Sequence, residues 1–147
     1  MVRKMTARLA LPDDAPYLKE KLPNWGDEAI AEMIGGKRYM TVVDPPGGLI
    51  WVTYDEADPT LIHAGLTFCS SDAQAAAMYK LLIATNPWPK WTRVRVGYDS
   101  APGACDARAV QAATTVAKMP VVATTGTRKT LEITKAALLA ALGVKVK

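Results

Sequence analysis

The segment Asp44-Pro-Pro-Gly-Gly48 constrains the fold of this 147-residue chain more than any other stretch of its sequence. Two prolines followed by two glycines interrupt both helices and strands, and they predict a tight turn. A strand-like segment lies on each side of this turn, at 39–43 and 49–54, and the second one alternates, which predicts an antiparallel hairpin. A second turn at 55–59 leads to a third strand over 61–68. The middle of the chain is therefore predicted to be a meander of antiparallel strands.

The residues before the meander are predicted to form one strand and two short helices. Weak alternation in Thr6–Leu11 indicates the strand. The segment Pro12–Pro16 then opens a helix, with an aspartate cap and a proline tolerated in the first turn. Pro23 ends that helix. A second helix begins at Asp27 and stops at the glycine pair 35–36.

After the meander, helical and strand patterns alternate, which favours partly parallel pairing in this half of the sheet. A helix opens on Ser71-Asp-Ala-Gln74, which has the capping-box form. In the last part of the chain we expect Thr127 to cap a helix with a leucine stripe at positions 131, 138 and 142. The remaining predicted elements are a strand at 92–96, a helix at 106–118, a strand at 120–125 and a terminal edge strand at Val144–Lys147.

Composition narrows the class of protein. Half of the residues are hydrophobic (50%) and 22% are charged, which is enough apolar material for a core and excludes a disordered chain. No apolar run approaches the roughly 20 residues of a membrane-spanning helix, and no secretory signal is evident. Cys69 and Cys105 form neither a disulfide framework nor a metal-ligand pattern. We therefore expect a cytoplasmic protein without a metal site or a membrane partner.

This order of elements resembles the GNAT-type N-acetyltransferase superfamily. Thr6-Ala-Arg-Leu-Ala-Leu-Pro-Asp-Asp-Ala-Pro16 is similar to the opening strand and first helix of that family, and Ala136-Ala-Leu-Leu-Ala-Ala-Leu-Gly-Val144 is similar to its closing helix. The resemblance implies a single α+β domain over residues 1–147, with a mixed, mostly antiparallel central sheet flanked by helices.

The family carries a Gln/Arg-x-x-Gly-x-Gly/Ala loop between a central strand and the next helix, where main-chain N–H groups bind the pyrophosphate of coenzyme A. This sequence departs from the pattern in both registers that can be drawn. After the strand 61–68 the loop is Cys69-Ser-Ser-Asp72, which lacks glycine and contains an acid. After a strand at 92–98 the loop keeps the middle glycine. In that second register the resemblance implies that acetyl-coenzyme A is bound by Ser100, Gly103, Ala104 and Cys105.

Tyr98 and Asp99 follow the basic strand, at the end where such sheets present reactive groups. The resemblance implies that Tyr98 donates a proton to the thiolate leaving group and that Asp99, or Glu56 on the meander, accepts the amine proton. The alternative is a buried tyrosine followed by an aspartate that forms a turn.

His63 is the one histidine of the chain. A general base at this position requires an acidic partner, for which Asp55, Asp58 and Asp99 are the choices. The alternative is a histidine that is exposed or makes a structural hydrogen bond.

The net charge of +4 comes from scattered basic residues. One small cluster, at the N-terminus of the last predicted helix, consists of Thr127, Arg128 and Lys129. It could bind an anion. The alternative is an ordinary threonine cap with two solvated cations. A second cluster would lie on one side of a strand and could hold single-stranded nucleic acid, although a solvated basic face is the favoured interpretation; it consists of Trp91, Arg93 and Arg95.

Three functions are therefore considered. The first is a non-catalytic GNAT-like interaction or structural subunit without a cofactor, which self-assembles or binds a protein partner; a phage-encoded protein of this kind would be a virion component. It is favoured because the pyrophosphate loop departs from the family pattern. The alternatives are an acetyl-coenzyme A-dependent N-acetyltransferase and, third, a nucleic-acid-binding module.

Overall fold

The computed structural model describes residues 7–35, 38–44, 47–85, 88, 90–101 and 107–144. Within them, seven strands form one sheet and five α-helices pack on it. The strands are β1 (Arg8–Leu9), β2 (Tyr39–Asp44), β3 (Gly48–Tyr54), β4 (Leu61–Phe68), β5 (Arg93–Asp99), β6 (Val121–Thr125) and β7 (Arg128–Thr134). The helices are α1 (Ala15–Lys21), α2 (Asp27–Gly35), α3 (Asp72–Thr85), α4 (Ala107–Thr115) and α5 (Lys135–Ala141).

The strand order is β1-β2-β3-β4-β5-β7-β6. β4 and β5 pair in parallel, and the other neighbouring strands pair antiparallel. The parallel pair follows from the connection, because α3 carries the chain across the sheet between β4 and β5. The predicted α+β fold with a mixed, mostly antiparallel sheet is therefore confirmed.

Helices cover the two faces of the sheet unequally. On the face that we call the α3 face, α3, α4 and α5 bury a core that includes Val52, Ile62 and Val96. On the opposite α1 face, α1 and α2 bury a smaller core around Leu18 and Leu49, over the β1–β4 half of the sheet. Successive residues of a strand point to opposite faces. The α1 face of β5 and β7 therefore carries all of their charged residues except Lys129.

The capping box predicted at the start of α3 forms only in part. Ser71 Oγ accepts a hydrogen bond from the Gln74 N–H (3.1 Å), as predicted. The amide side chain of Gln74 turns elsewhere: its Oε1 accepts from the Ser70 N–H (2.7 Å) and its Nε2 donates to Asp44 Oδ2 (3.1 Å). Gln74 and Asp44 are both buried, so this network fixes the start of α3 to the end of β2.

The prediction of a helix beginning at Thr127 is wrong. Gly126, at φ +60°, and Thr127 form the turn of a β6–β7 hairpin, and β7 pairs with both β6 and β5. Leu131 is buried from this strand, since it alternates with polar neighbours at period two. The last helix starts later, where Thr134 Oγ accepts from the Ala137 N–H (3.2 Å).

Other predicted boundaries differ by a few residues. β1 is shorter than the predicted 6–11, and α4 spans less than the predicted 106–118. The predicted terminal strand falls largely at 145–147, outside the described residues. Within the described part of the chain, no helix has the length and apolar character that crossing a membrane requires.

Candidate active site

The two parallel strands at the centre of the sheet separate part of the way along. β4 and β5 pair from Leu61 to Ala64 and from Arg93 to Val96. Beyond that point β4 continues beside β3 up to Phe68, while β5 continues beside β7. β4 also has one more residue than β3 between two of their paired positions, a bulge that bends it. The carboxyl ends of β4 and β5 are therefore separated by a gap, and a cleft lies on the β4 side of this gap.

The cleft is apolar and reaches residues of both cores. Small and aromatic side chains from β4, α3 and α4 line it; they include Gly65, Phe68, Cys69, Tyr79, Ala109 and Ala112. Burial raises the pKa of the Tyr79 hydroxyl far above its ordinary value, and the Cys69 thiol is also buried. The cleft is therefore apolar but narrow, with a volume of about 20 Å³, and a flexible chain would have to widen it to enter.

The loop between β4 and α3 lies at the mouth of the cleft and contains the first of the two predicted registers, 69–72. At the start of α3, two backbone N–H groups already donate hydrogen bonds. The Gln74 N–H donates to Ser71 Oγ, and the Ala75 N–H donates to the Ser71 carbonyl. Among the described residues no acceptor is bound to the amides of Asp72 and Ala73, which lie at the positive end of this 14-residue helix. The exposed Asp72 side chain opposes an anion there.

The loop of the second predicted register comes after β5, and only part of it lies within the described residues. Its Gly103, Ala104 and Cys105 lie outside the described residues. Ser100 donates two hydrogen bonds to the Thr127 carbonyl, from its N–H and its Oγ (2.7 Å each). Ser100 therefore fastens the end of β5 to the β6–β7 turn.

On the α1 face, beside the cleft, His63 Nε2 lies 2.8 Å from Asp55 Oδ2. The hydrogen bond from His63, and then those from the N–H groups of Ala57 and Asp58, lower the pKa of Asp55. Asp55 is therefore a carboxylate at neutral pH and accepts the proton of Nε2, which leaves Nδ1 as the basic atom of the imidazole. Of the three acids that the sequence offered, Asp55 is the one bound to His63.

A row of opposite charges follows His63 across β5 and β7. Arg93 contacts both Asp58 and Glu132. Arg95, the register neighbour of His63, forms an ion pair with Glu132 (2.8 Å), and the hydrogen bond from Arg95 lowers the pKa of that carboxyl. The acids cancel the basic character that the sequence predicted for this strand.

The predicted stacking platform for nucleic acid is wrong in one respect. Trp91 is 3% exposed and lies under Lys135, whose Nζ is 4.9 Å from the ring centroid. It precedes β5 and fills the core instead of facing solvent beside Arg93 and Arg95. A buried indole cannot stack on a base.

The two predicted catalytic residues on β5 lie on opposite faces. Tyr98 is on the α3 face and packs against its core. Asp99 is on the α1 face, and hydrogen bonds from the Ala101 N–H (2.9 Å) and the Thr127 hydroxyl lower the pKa of its carboxyl. Glu56, the alternative base, pairs with Arg38 (2.7 Å). Asp99 thus has the turn geometry that the sequence offered as its alternative role.

The predicted anion site at 127–129 does not lie at a helix N-terminus, because these residues belong to the β6–β7 hairpin. Strand alternation divides the two cations between the faces of the sheet. Lys129 pairs in register with Tyr98 on the α3 face, whereas Arg128 pairs with Asp99 on the α1 face. No group of three or more metal-ligating side chains occurs among the described residues.

Comparison with solved structures gives the fold. Apo FdhC, a nucleotide-linked sugar GNAT, has a TM-score of 0.65 at 11% identity, over 92% of this chain and 89% of its own. NAA60 from Arabidopsis thaliana, in complex with a bisubstrate analogue, has a TM-score of 0.65 at 9% identity, over 89% and 99%. The aminoglycoside 6′-N-acetyltransferase from Enterococcus faecium has a TM-score of 0.65 at 9% identity, over 88% and 97%.

At these identities the likeness shows the fold alone, so this chain has the GNAT fold that its sequence resembles. No protein-family profile and no curated protein matches the sequence. None of the matched structures supports the non-catalytic or virion role that was favoured from the sequence.

Proposed function

We propose that this protein is an N-acetyltransferase that uses acetyl-coenzyme A and a primary amine. The observation that carries the proposal is the separation of β4 and β5 beyond Ala64 and Val96, which opens an apolar cleft beside the N-terminus of α3. Two neighbours with the same fold are named as aminoglycoside acetyltransferases. Self-assembly and nucleic-acid binding stay predictions from the sequence.

The residues around the cleft fit the donor. Its apolar arm matches the lining of Gly65, Phe68 and the α4 alanines, and the open amides of Asp72 and Ala73 match its diphosphate. Acetyl-coenzyme A, when bound, supplies a thioester whose acyl carbon is open to attack by an amine.

His63 is the residue we propose as general base. Asp55 holds the proton of Nε2, so Nδ1 can accept a proton from the acceptor amine. The side chain of His63 is 36% exposed, which lets an acceptor approach it from the α1 face. Tyr98 stays the predicted acid for the leaving thiolate; it lies near the end of the neighbouring strand β5, on the α3 face.

Isothermal titration calorimetry with coenzyme A tests the donor site. We expect micromolar binding by the natural sequence and about threefold tighter binding by Asp72→Asn, because the substitution removes a negative charge from the end of α3 that would bind the diphosphate. Glu28→Gln is the matched control, since it removes an exposed acid from the first turn of α2. Absence of binding by both the natural sequence and Asp72→Asn would overturn the proposal.

Release of free thiol from acetyl-coenzyme A, measured across a panel of primary amines, tests the base. We expect His63→Gln to lower turnover about 100-fold while its affinity for coenzyme A stays that of the natural sequence. Unchanged turnover would remove His63 from the proton transfer and leave the donor site standing.

A further inference from the structure

We propose that the acceptor amine carries a carboxylate, and that Arg128 binds this carboxylate on the α1 face at the mouth of the cleft. The inference rests on the proposed function and adds the class of acceptor: an α-amino acid with an apolar or aromatic side chain. The inference is based on two side chains that lie over Gly65 and Gly97, at the point where β4 and β5 separate.

Gly65 and Gly97 are the first residues after the last β4–β5 pair. Each lies beneath a side chain from the neighbouring outer strand. A Cβ on Gly65 would fall 2.4 Å from the ring of Trp51, and a Cβ on Gly97 would fall 3.0 Å from Nη2 of Arg128. On the α1 face, the mouth of the cleft therefore has an indole on one side and a guanidinium on the other.

The aromatic side is fixed in place. The rings of Trp25 and Tyr39 each pack edge-on against Trp51, with centroids 5.7 Å away. Because these contacts hold the indole over Gly65, it offers an acceptor a rigid apolar surface. This wall is suited to an apolar or aromatic side chain.

The cationic side is available to a ligand. Ion pairs within the described residues hold Arg8, Arg38, Arg93 and Arg95, and none of them holds Arg128. The nearby Asp99 feels the charge of Arg128 but already accepts hydrogen bonds from Ala101 and Thr127. Arg128 is exposed, so its planar fork of donors can bind a carboxylate through two parallel hydrogen bonds.

The spacing suits a small amino acid. His63 is in register with Arg95, and Gly97 lies two residues further along β5, about 7 Å away at the usual rise of a strand. The side chains of His63 and Arg128 can together span that distance and bind the amine and the carboxylate of one acceptor. An exposed arginine at this place opposes a polycationic acceptor, because like charges repel.

Calorimetry with N-acetyl-L-phenylalanine and N-acetyl-L-phenylalaninamide tests the inference without catalysis, since the two ligands differ in the carboxylate. The natural sequence is expected to bind the acid about tenfold more tightly than the amide. Arg128→Gln should bring the ratio close to one, and Arg128→Lys should retain part of it. Gly97→Ala should also lower the ratio, because the new Cβ displaces the guanidinium. Lys80→Gln, which removes an exposed charge from α3, is the control and should keep the ratio.

Equal affinity for acid and amide in the natural sequence, or no binding of either, would overturn the inference. An unchanged ratio in Arg128→Gln, or an equal loss in Lys80→Gln, would also overturn it. Coenzyme A is titrated into the same variants: a loss of coenzyme affinity in Arg128→Gln, with the ratio unchanged, would assign the arginine to the donor instead. Failure of the donor site itself is detected separately, as absent coenzyme A binding in the natural sequence.

Discussion

The β1–β4 half of the sheet is covered by helices on both faces, whereas the β5–β7 half is covered on one face. In β2 the consecutive residues Val42 and Val43 are both fully buried, because α1 and α2 cover one face and α3 the other. In β5 buried Val94 is followed by Arg95, whose side chain is 39% exposed. The covered half stabilises the fold, whereas the open half leaves one face of the sheet accessible.

This division explains why the candidate site lies on the boundary. His63 is on β4, the last strand of the covered half, and Arg95 and Arg128 are on the first strands of the open half. At this boundary, side chains on the α1 face are both supported by the neighbouring core and reached by solvent. The predictions below test the division through the stability of each half.

The largest effect is expected in the smaller core. Leu18 of α1 is fully buried, and Leu18→Ala should lower the free energy of unfolding by about 3 kcal/mol, because it leaves a cavity between α1 and the sheet. Urea unfolding followed by circular dichroism measures the loss. A loss below about 1 kcal/mol would mean that α1 contributes little to the fold and that the two halves are less different than proposed.

The two glycines at the mouth of the cleft provide a matched pair. Gly65→Ala should cost about 2 kcal/mol, because its Cβ would meet the Trp51 ring, which Trp25 and Tyr39 hold in place. Gly97→Ala meets the flexible end of Arg128 instead, and its cost should stay under about 0.5 kcal/mol. Thermal and urea unfolding of both variants measures the two losses of unfolding free energy. Equal losses would contradict the division between the halves.

The ion pair between Arg8 and Asp14 should give the covered half a dependence on acid. Its hydrogen bond from Arg8 lowers the pKa of Asp14 below the ordinary 3.8. A depressed pKa in the folded state contributes stability above the ordinary value, and this stability is lost as the pH falls through the folded pKa. Asp14→Asn should therefore cost about 1 kcal/mol at pH 7, and the difference should shrink below pH 4.

Urea unfolding at pH 7 and near pH 3 checks this prediction, with Asp13→Asn as the control, an exposed neighbour in the same turn. A difference that persists unchanged at pH 3 would show that the carboxylate of Asp14 is not the source of the stability.

The smallest effect is expected for the charge row of the open half. Arg95→Gln should change the free energy of unfolding by less than about 0.5 kcal/mol, because Arg95 is partly solvated and Arg93 continues to pair with Glu132. Denaturant titration measures the change. A loss above about 1 kcal/mol would mean that the ion pairs of the open face support the fold itself.

Much of the fold could be predicted because its local signals are strong. Proline- and glycine-containing turns delimit the strands of the meander, so β3 and β4 were predicted within one residue, and the start of α3 was predicted from its Ser71–Gln74 cap. β7 was missed because Leu131, Leu138 and Leu142 imitate a helical stripe, although Leu131 belongs to a strand and Leu138 to a helix. Pattern alone does not separate two elements that share one spacing.

The site was less predictable, because it depends on contacts between distant parts of the chain. The sequence offered three acids for His63, and only the pairing of Thr53 with His63 brings Asp55 to it. The separation of β4 and β5 has no local signal in the pattern of either strand, since each strand continues with its other neighbour. Gly65 and Gly97 were the one available sign, and their meaning depends on the register of the two strands.

The buried amide of Gln74 has a consequence for motion. It joins Ser70, in the loop before α3, to Asp44 at the end of β2, so hydrogen bonds tie that side of the cleft to the β2–β3 hairpin. If the cleft widens to admit a ligand, the side that moves must then be the opposite one, formed by the end of β5 and by α4. Hydrogen–deuterium exchange should find the Ser70 amide slow, and the amides at the end of β5 should be the ones whose exchange slows when coenzyme A is added.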